Sequence, residues 1–214
     1  MMNDAIPLNM SEEPGGYAER SDAVANRRRI LEVTRRLFAE YGPTAVSMSD
    51  IVKAAGVGRG TLYRHFPDKG ALCLAVMDEE IAEFQNEVLD RLRQMTAVSA
   101  PAMAQLDEFL DRLVWFTETY TPLLREAQAQ GLHYFEKKEG TPQYWQQATV
   151  LGLLRTAVSQ NEILPDTDID YLADAVLAPL NPQLFHYQRA VQQFSPERIS
   201  DGLRAFVAQL HYGK

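Results

Sequence analysis

Arg59, Gly60, Thr61, Tyr63, Arg64 and His65 crowd into seven residues around one apolar side chain, Leu62. Guanidinium, hydroxyl, phenol and imidazole groups so spaced suit hydrogen bonding to an acceptor-rich partner. Val57 and Leu62 would turn inward, leaving Arg59-Gly60-Thr61 as a short polar end, followed by Tyr63, Arg64 and His65. A short helix with such an N-terminal end fits the major groove of duplex DNA, where base edges and phosphates are reached together.

Such a helix works only if its neighbours hold its angle. Just upstream, Ser47 is placed to cap a short helix, with Asp50 as the third-position acid of a capping box. Ile51, Val52 and Ala55 supply that helix's inward face, and Gly56 stands where a left-handed C-terminal residue is wanted. Further upstream, Ile30, Val33, Leu37, Phe38 and Tyr41 recur on one helical face, which predicts a helix from about Ser21 to Tyr41, ended by Gly42-Pro43. Two short helices around a glycine turn predict a helix-turn-helix. Pro67-Asp68 then opens a long helix to about Met95, on the order of 40 Å in length, able to join this head to a separate body.

Beyond it the pattern predicts helical segments at about 102–120, 122–134, 142–160, 168–190 and 197–211, separated at Pro122, Gly140-Thr141-Pro142, Leu164-Pro165-Asp166 and Ser195-Pro196. Sustained period-two alternation is missing, so the chain reads as all-α. The expected organisation is a mobile tail over 1–20, a three-helix helix-turn-helix domain over 21–68, and a larger helical ligand-binding and dimerisation domain over 69–214.

The net charge of −8 at first argues against a nucleic-acid partner. Its distribution reverses that argument. Residues 20–70 hold ten Lys or Arg against five Asp or Glu, whereas residues 71–214 hold eleven against twenty. A basic segment on an acidic body is the asymmetry expected when one end meets phosphates. Cys73 is the single cysteine, which rules out an intrachain disulfide and a structural Cys-based zinc site, and it reads as a buried apolar residue. No signal peptide and no apolar run of spanning length is found, so the expected compartment is a reducing cytoplasm, without membrane contact.

The runs Leu37-Phe38-Ala39-Glu40-Tyr41-Gly42, Ser49-Asp50-Ile51-Val52-Lys53-Ala54-Ala55-Gly56-Val57 and Gly60-Thr61-Leu62-Tyr63-Arg64-His65-Phe66-Pro67-Asp68-Lys69 closely resemble the DNA-binding domain of the TetR family of repressors, over about residues 24–77. The resemblance implies that Arg59, Gly60, Thr61 and Tyr63 lie near bases and backbone. It implies phosphate contacts from Tyr63, His65 and Lys69, a backbone contact from the Ser47 hydroxyl, and operator specificity from Arg64. Two residues depart from the family: Gly58 replaces a common capping serine, and Gly70 a common glutamate.

The remaining two-thirds resembles the family only in helical plan. Bulky side chains cluster between Phe109 and Trp145, and Trp115, Tyr120, His133 and Tyr144 are the candidate walls of a pocket for a small hydrophobic or aromatic effector. Segments 168–190 and 197–211 are the expected homodimer surface, with Pro179 and Pro182 kinking or breaking the first. Residues 71–214 contain no metal cluster, nucleophile elbow or phosphate loop, so neither catalysis nor a cofactor is expected. The reading is a dimeric repressor on a palindromic DNA operator, released by a small molecule whose identity the sequence does not name.

Overall fold

The computed structural model describes residues 15–130 and 142–210, with side chains from Asp22 and Tyr144 onward in the two spans. Every regular element among them is helical: α1 (Gly15–Tyr41), α2 (Met48–Ala55), α3 (Arg59–His65), α4 (Lys69–Ala97), α5 (Ala102–Ala129), α6 (Pro142–Ser159), α7 (Ile169–Leu177), a 3₁₀ turn (Ala178–Leu180), α8 (Pro182–Ala190) and α9 (Pro196–Ala208).

Two hydrophobic clusters organise these helices. The first joins Ile30 and Phe38 of α1, Ile51 and Ala55 of α2, Leu62 of α3 and Leu72, Cys73 and Val76 of α4, with Ala127 of α5. The second centres on α5, where Leu106, Phe109, Leu110 and Leu113 pack with Leu154, Phe185 and Leu203. Helix α4 runs through both clusters and packs antiparallel to α5. Two bidentate pairs tie the outer helices to α5: Arg189 with Glu118 (2.7 Å for both bonds), and Arg204 with Asp107 (2.9 and 2.7 Å). Glu118 holds the Arg189 guanidinium more firmly protonated than usual.

Two sequence expectations need correction. Helix α1 begins at Gly15, so its first residues occupy part of the segment expected as tail. Pro122 does not separate two helices but lies inside α5. Its ring removes the N–H that the Glu118 carbonyl would accept, a cost of about 3 kcal/mol. The inward face nevertheless continues across it, through buried Thr117, Thr121, Leu124 and Ala127. The Thr117 and Thr121 hydroxyls donate to the carbonyls of Leu113 and Thr117 at 2.7 and 2.6 Å. Packing on both sides therefore outweighs the local defect. Pro179 and Pro182 do interrupt their segment, which resolves into α7, the 3₁₀ turn and α8.

Cys73 is fully buried where α4 meets the head. Burial, then the charge of Glu126, pushes its thiol up to about 12. Thiolate is the reactive form. Native protein near neutral pH should therefore resist maleimide, and label fully once guanidinium unfolds it. Rapid labelling of the native chain would mean that this seam opens.

Candidate nucleic-acid interface and effector site

Ser47 caps α2 as its position predicts. The Asp50 N–H donates to Ser47 Oγ (3.2 Å), and the Ser47 N–H donates to Asp50 Oδ2 (3.1 Å). The Ser47 hydroxyl also donates to Asp50 Oδ2 at 2.6 Å, so it must turn from this bond to meet another acceptor. These bonds, the hydroxyl's first, hold the Asp50 carboxyl below its usual range. Gly56 adopts φ 63°, ψ 33°, and its N–H donates to the carbonyls of Val52 and Lys53, which closes α2 and turns the chain toward α3.

Helix α3 starts at Gly58 without a side-chain cap, which is the consequence of the missing serine. Leu62 points wholly inward. Arg59, Gly60, Tyr63 and Arg64 are exposed, whereas Thr61 and His65 are half-buried. At spacings of one, three and four residues, the exposed four share one side of the helix. Arg59 also donates to Ser49 Oγ (3.1 Å), which links α3 to α2. The Nε2 of His65 is shielded and has no hydrogen-bond partner. Arg27 is committed elsewhere, lying over the Phe66 ring (5.4 Å) and 3.7 Å from Asp78 of α4.

Lys69 does not stand free. Its Nζ lies 3.0 Å from Oε1 of Glu126 on α5, and the two side chains are 12% and 14% exposed. Gly70, the other departure, is buried where α4 meets the end of α5. A Cβ there would lie 3.0 Å from Gln130 Cβ and 3.1 Å from the Ala127 carbonyl oxygen, so a glutamate has no room.

In the body, aromatic rings form a continuous row across three helices. Tyr120 contacts Phe116 (4.6 Å between centroids), Phe116 stacks on Phe84 (4.3 Å), and Trp145 meets Phe84 and Phe109 edge-on at 6.0 and 5.6 Å. Of the four pocket residues expected from sequence, the row includes Tyr120 alone. Trp115 and Tyr144 are surface residues, 43% and 39% exposed, and His133 lies outside the described residues. Sequence reasoning missed Phe84, whose signal was a bulky aromatic on the long helix facing the body. Burial, then Glu80 and Glu83, raises the Tyr120 phenol above its usual range. Nearby, Glu80 Oε2 is shielded from solvent without a hydrogen-bond partner.

A separate concavity of about 960 Å³ opens at the far end of α4, lined by Leu92, Thr96, Gln105, Thr149, Gly152 and Glu162 among others. On the outer surface, Leu184 and Tyr187 of α8, Val191 just after it, and Phe206 of α9 are exposed. No group of three or more potential metal-ligating side chains occurs among the described residues, and none of their helices is long and apolar enough to cross a membrane.

Residues 30–76 match the profile of bacterial regulatory proteins of the tetR family. A helix-turn-helix-type transcriptional regulator of Staphylococcus aureus is 48% identical over 65 residues, 30% of this chain and 35% of that protein. The chain thus covers about a third of the length of the curated relatives it matches. A TetR-family transcriptional regulator from Pectobacterium atrosepticum has the same fold (TM-score 0.58, 23% identity, covering 89% of this chain and 95% of that one). So does a putative transcriptional regulator from Saccharomonospora viridis, solved in complex with choline (TM-score 0.57, 21% identity, covering 89% and 100%).

Proposed function

We propose that the chain, whose residues 30–76 match bacterial regulatory proteins of the tetR family, is a cytoplasmic, homodimeric transcription repressor of that family that leaves its operator when a small molecule occupies its body. The observation that carries DNA binding is the α3 face itself: Arg59, Gly60, Tyr63 and Arg64 exposed together, anchored by fully buried Leu62. Ser47, Thr61 and His65, within a head over 21–68, and Lys69, the first residue of the body over 69–214, complete the proposed contact set. Arg64 reads bases, while Lys69 meets a phosphate.

Homodimerisation follows from reading a near-palindrome with two heads about one DNA turn apart. The exposed apolar side chains on α8 and α9 suit that pairing. The aromatic row, with rings from α4, α5 and α6, ends at Tyr120, whose phenol feels the charge of Glu80, a residue with one solvent-shielded carboxylate oxygen; apolar rings beside a few polar groups are the mix that small-molecule sites use. An effector wedged there acts only through its differential affinity for DNA-competent and released states. Operator DNA must weaken effector binding by the same factor.

Gel shift with DNA upstream of the protein's own coding region tests the core of this reading. Salt-sensitive binding at nanomolar to micromolar protein is expected, and its absence would sink it. Arg64→Ala should alter sequence preference, costing about 1–3 kcal/mol at one base pair, while Lys69→Ala should weaken all sequences alike. Identical behaviour of the two variants would refute this division of roles.

A further inference from the structure

We propose that Glu126 is an intramolecular competitor for the DNA backbone: it holds the Lys69 ammonium that a phosphate would otherwise take. The position of α5 thereby sets the head's affinity for DNA. This inference rests on the DNA-binding reading above and adds a residue from the body to it.

The geometry is that of an alternative partner. The Lys69 Nζ to Glu126 Oε1 distance of 3.0 Å is a full ion pair, mostly withdrawn from solvent. Both side chains line one polar concavity of about 400 Å³, which also includes Ser47 and Tyr63, two of the proposed contact residues. Lys69 therefore opens onto the same crease as the groups that would meet the DNA backbone, but its charge is already used.

The location of the pair explains why it forms. Lys69 is the first residue of α4 and Glu126 lies in the last turn of α5, the wrong helix ends for their charges. Antiparallel packing sets the lysine beside the carbonyl end of α5 and the glutamate beside the amide end of α4. Each charge thus compensates the other and the opposing helix end. Gly70 keeps the two helices close enough for this, since any Cβ would press on Gln130 and the Ala127 carbonyl. Binding a phosphate through Lys69 must break the pair and leave Glu126 facing DNA with its charge uncompensated. Both consequences weaken binding, and a shift of α5 along α4 would change both.

Full-length protein titrated into a short fluorescein-labelled duplex of mixed sequence, followed by anisotropy over a range of salt concentrations, tests this. Glu126→Gln should bind about tenfold tighter at low salt, and the dependence of log K on log salt should steepen by about 0.9 per head. Glu126→Asp keeps the charge but withdraws it by one methylene, so it should tighten binding less; it carries the test if Glu126→Gln proves unfolded by circular dichroism. In a Lys69→Gln background, only the repulsion of the uncompensated carboxylate is left to relieve, so Glu126→Gln should tighten binding much less than it does with Lys69 present. Equal tightening with and without Lys69 would mean general charge repulsion and overturn the proposal. Wild-type binding with unchanged affinity in both Glu126 variants would overturn it alone, and a wild type that binds no duplex would take the DNA reading down with it.

Discussion

Leu62→Ala should destabilise the head by about 2–5 kcal/mol and abolish duplex binding. Leu62 is the one buried side chain of α3, and it is fully enclosed. A seven-residue helix has almost no stability by itself, because nucleation costs more than so few hydrogen bonds return. Without a side-chain cap at Gly58, the packing of Leu62 is what keeps α3 helical and aimed. Truncation leaves a cavity in the cluster that also holds Ile30, Ile51, Phe66 and Leu72, and collapse around it would move the helix whose exposed face is proposed to meet DNA. Denaturant melts followed by circular dichroism measure the loss, and anisotropy with duplex DNA measures the binding. Leu62→Met, which nearly conserves volume, should cost under about 1.5 kcal/mol and retain binding. Since Cys73 shares this cluster, Leu62→Ala should also speed its maleimide labelling. An alanine variant with wild-type affinity would mean that α3 is held by something other than its core residue.

The head was legible because its determinants are local. Ser47 and Asp50 are three residues apart, and Gly56 needs only its own left-handed backbone, so a reader of the chain can place both. The long helix announced itself through Asp68, whose carboxylate accepts from the Ala71 N–H at 2.7 Å. The body was legible only in outline. Pro122 looked like a boundary because the local rule for proline is strong, and what overrides it lies on other helices. Trp115 and Tyr144 were grouped by chain proximity, but helical rotation carries both to the surface while Phe84, far upstream, joins Tyr120. Lys69 gives no sign in sequence that Glu126, 57 residues on, takes its charge. Gly70 seemed a lost first-turn acid, and only the nearness of α5 makes it a steric requirement.

Phe109→Ala should cost the body about 3–5 kcal/mol, a loss similar in size to that expected in the head. Phe109 is fully buried on α5, in the cluster that also holds Leu106, Leu110 and Leu113, with its ring edge-on to Trp145 at an interplanar angle of 77°. It closes the inner end of the aromatic row, whose outer end at Tyr120 is only partly buried. Trp145 and the more exposed Trp115 are the only tryptophans, so emission reports on this contact directly. Removal of the ring should shift emission to the red as Trp145 loses its neighbour, with a lower denaturation midpoint in the same sample. Phe109→Leu, which refills most of the space, should lose much less. The two ends of the row are then expected to behave differently: deletion at Phe109 destabilises, while Tyr120→Phe, which leaves the ring in place, changes stability little. A Phe109→Ala protein as stable as wild type would show that the ring borders open space. Position 109 would then belong to the wall of the proposed effector site, which would reach the centre of the body.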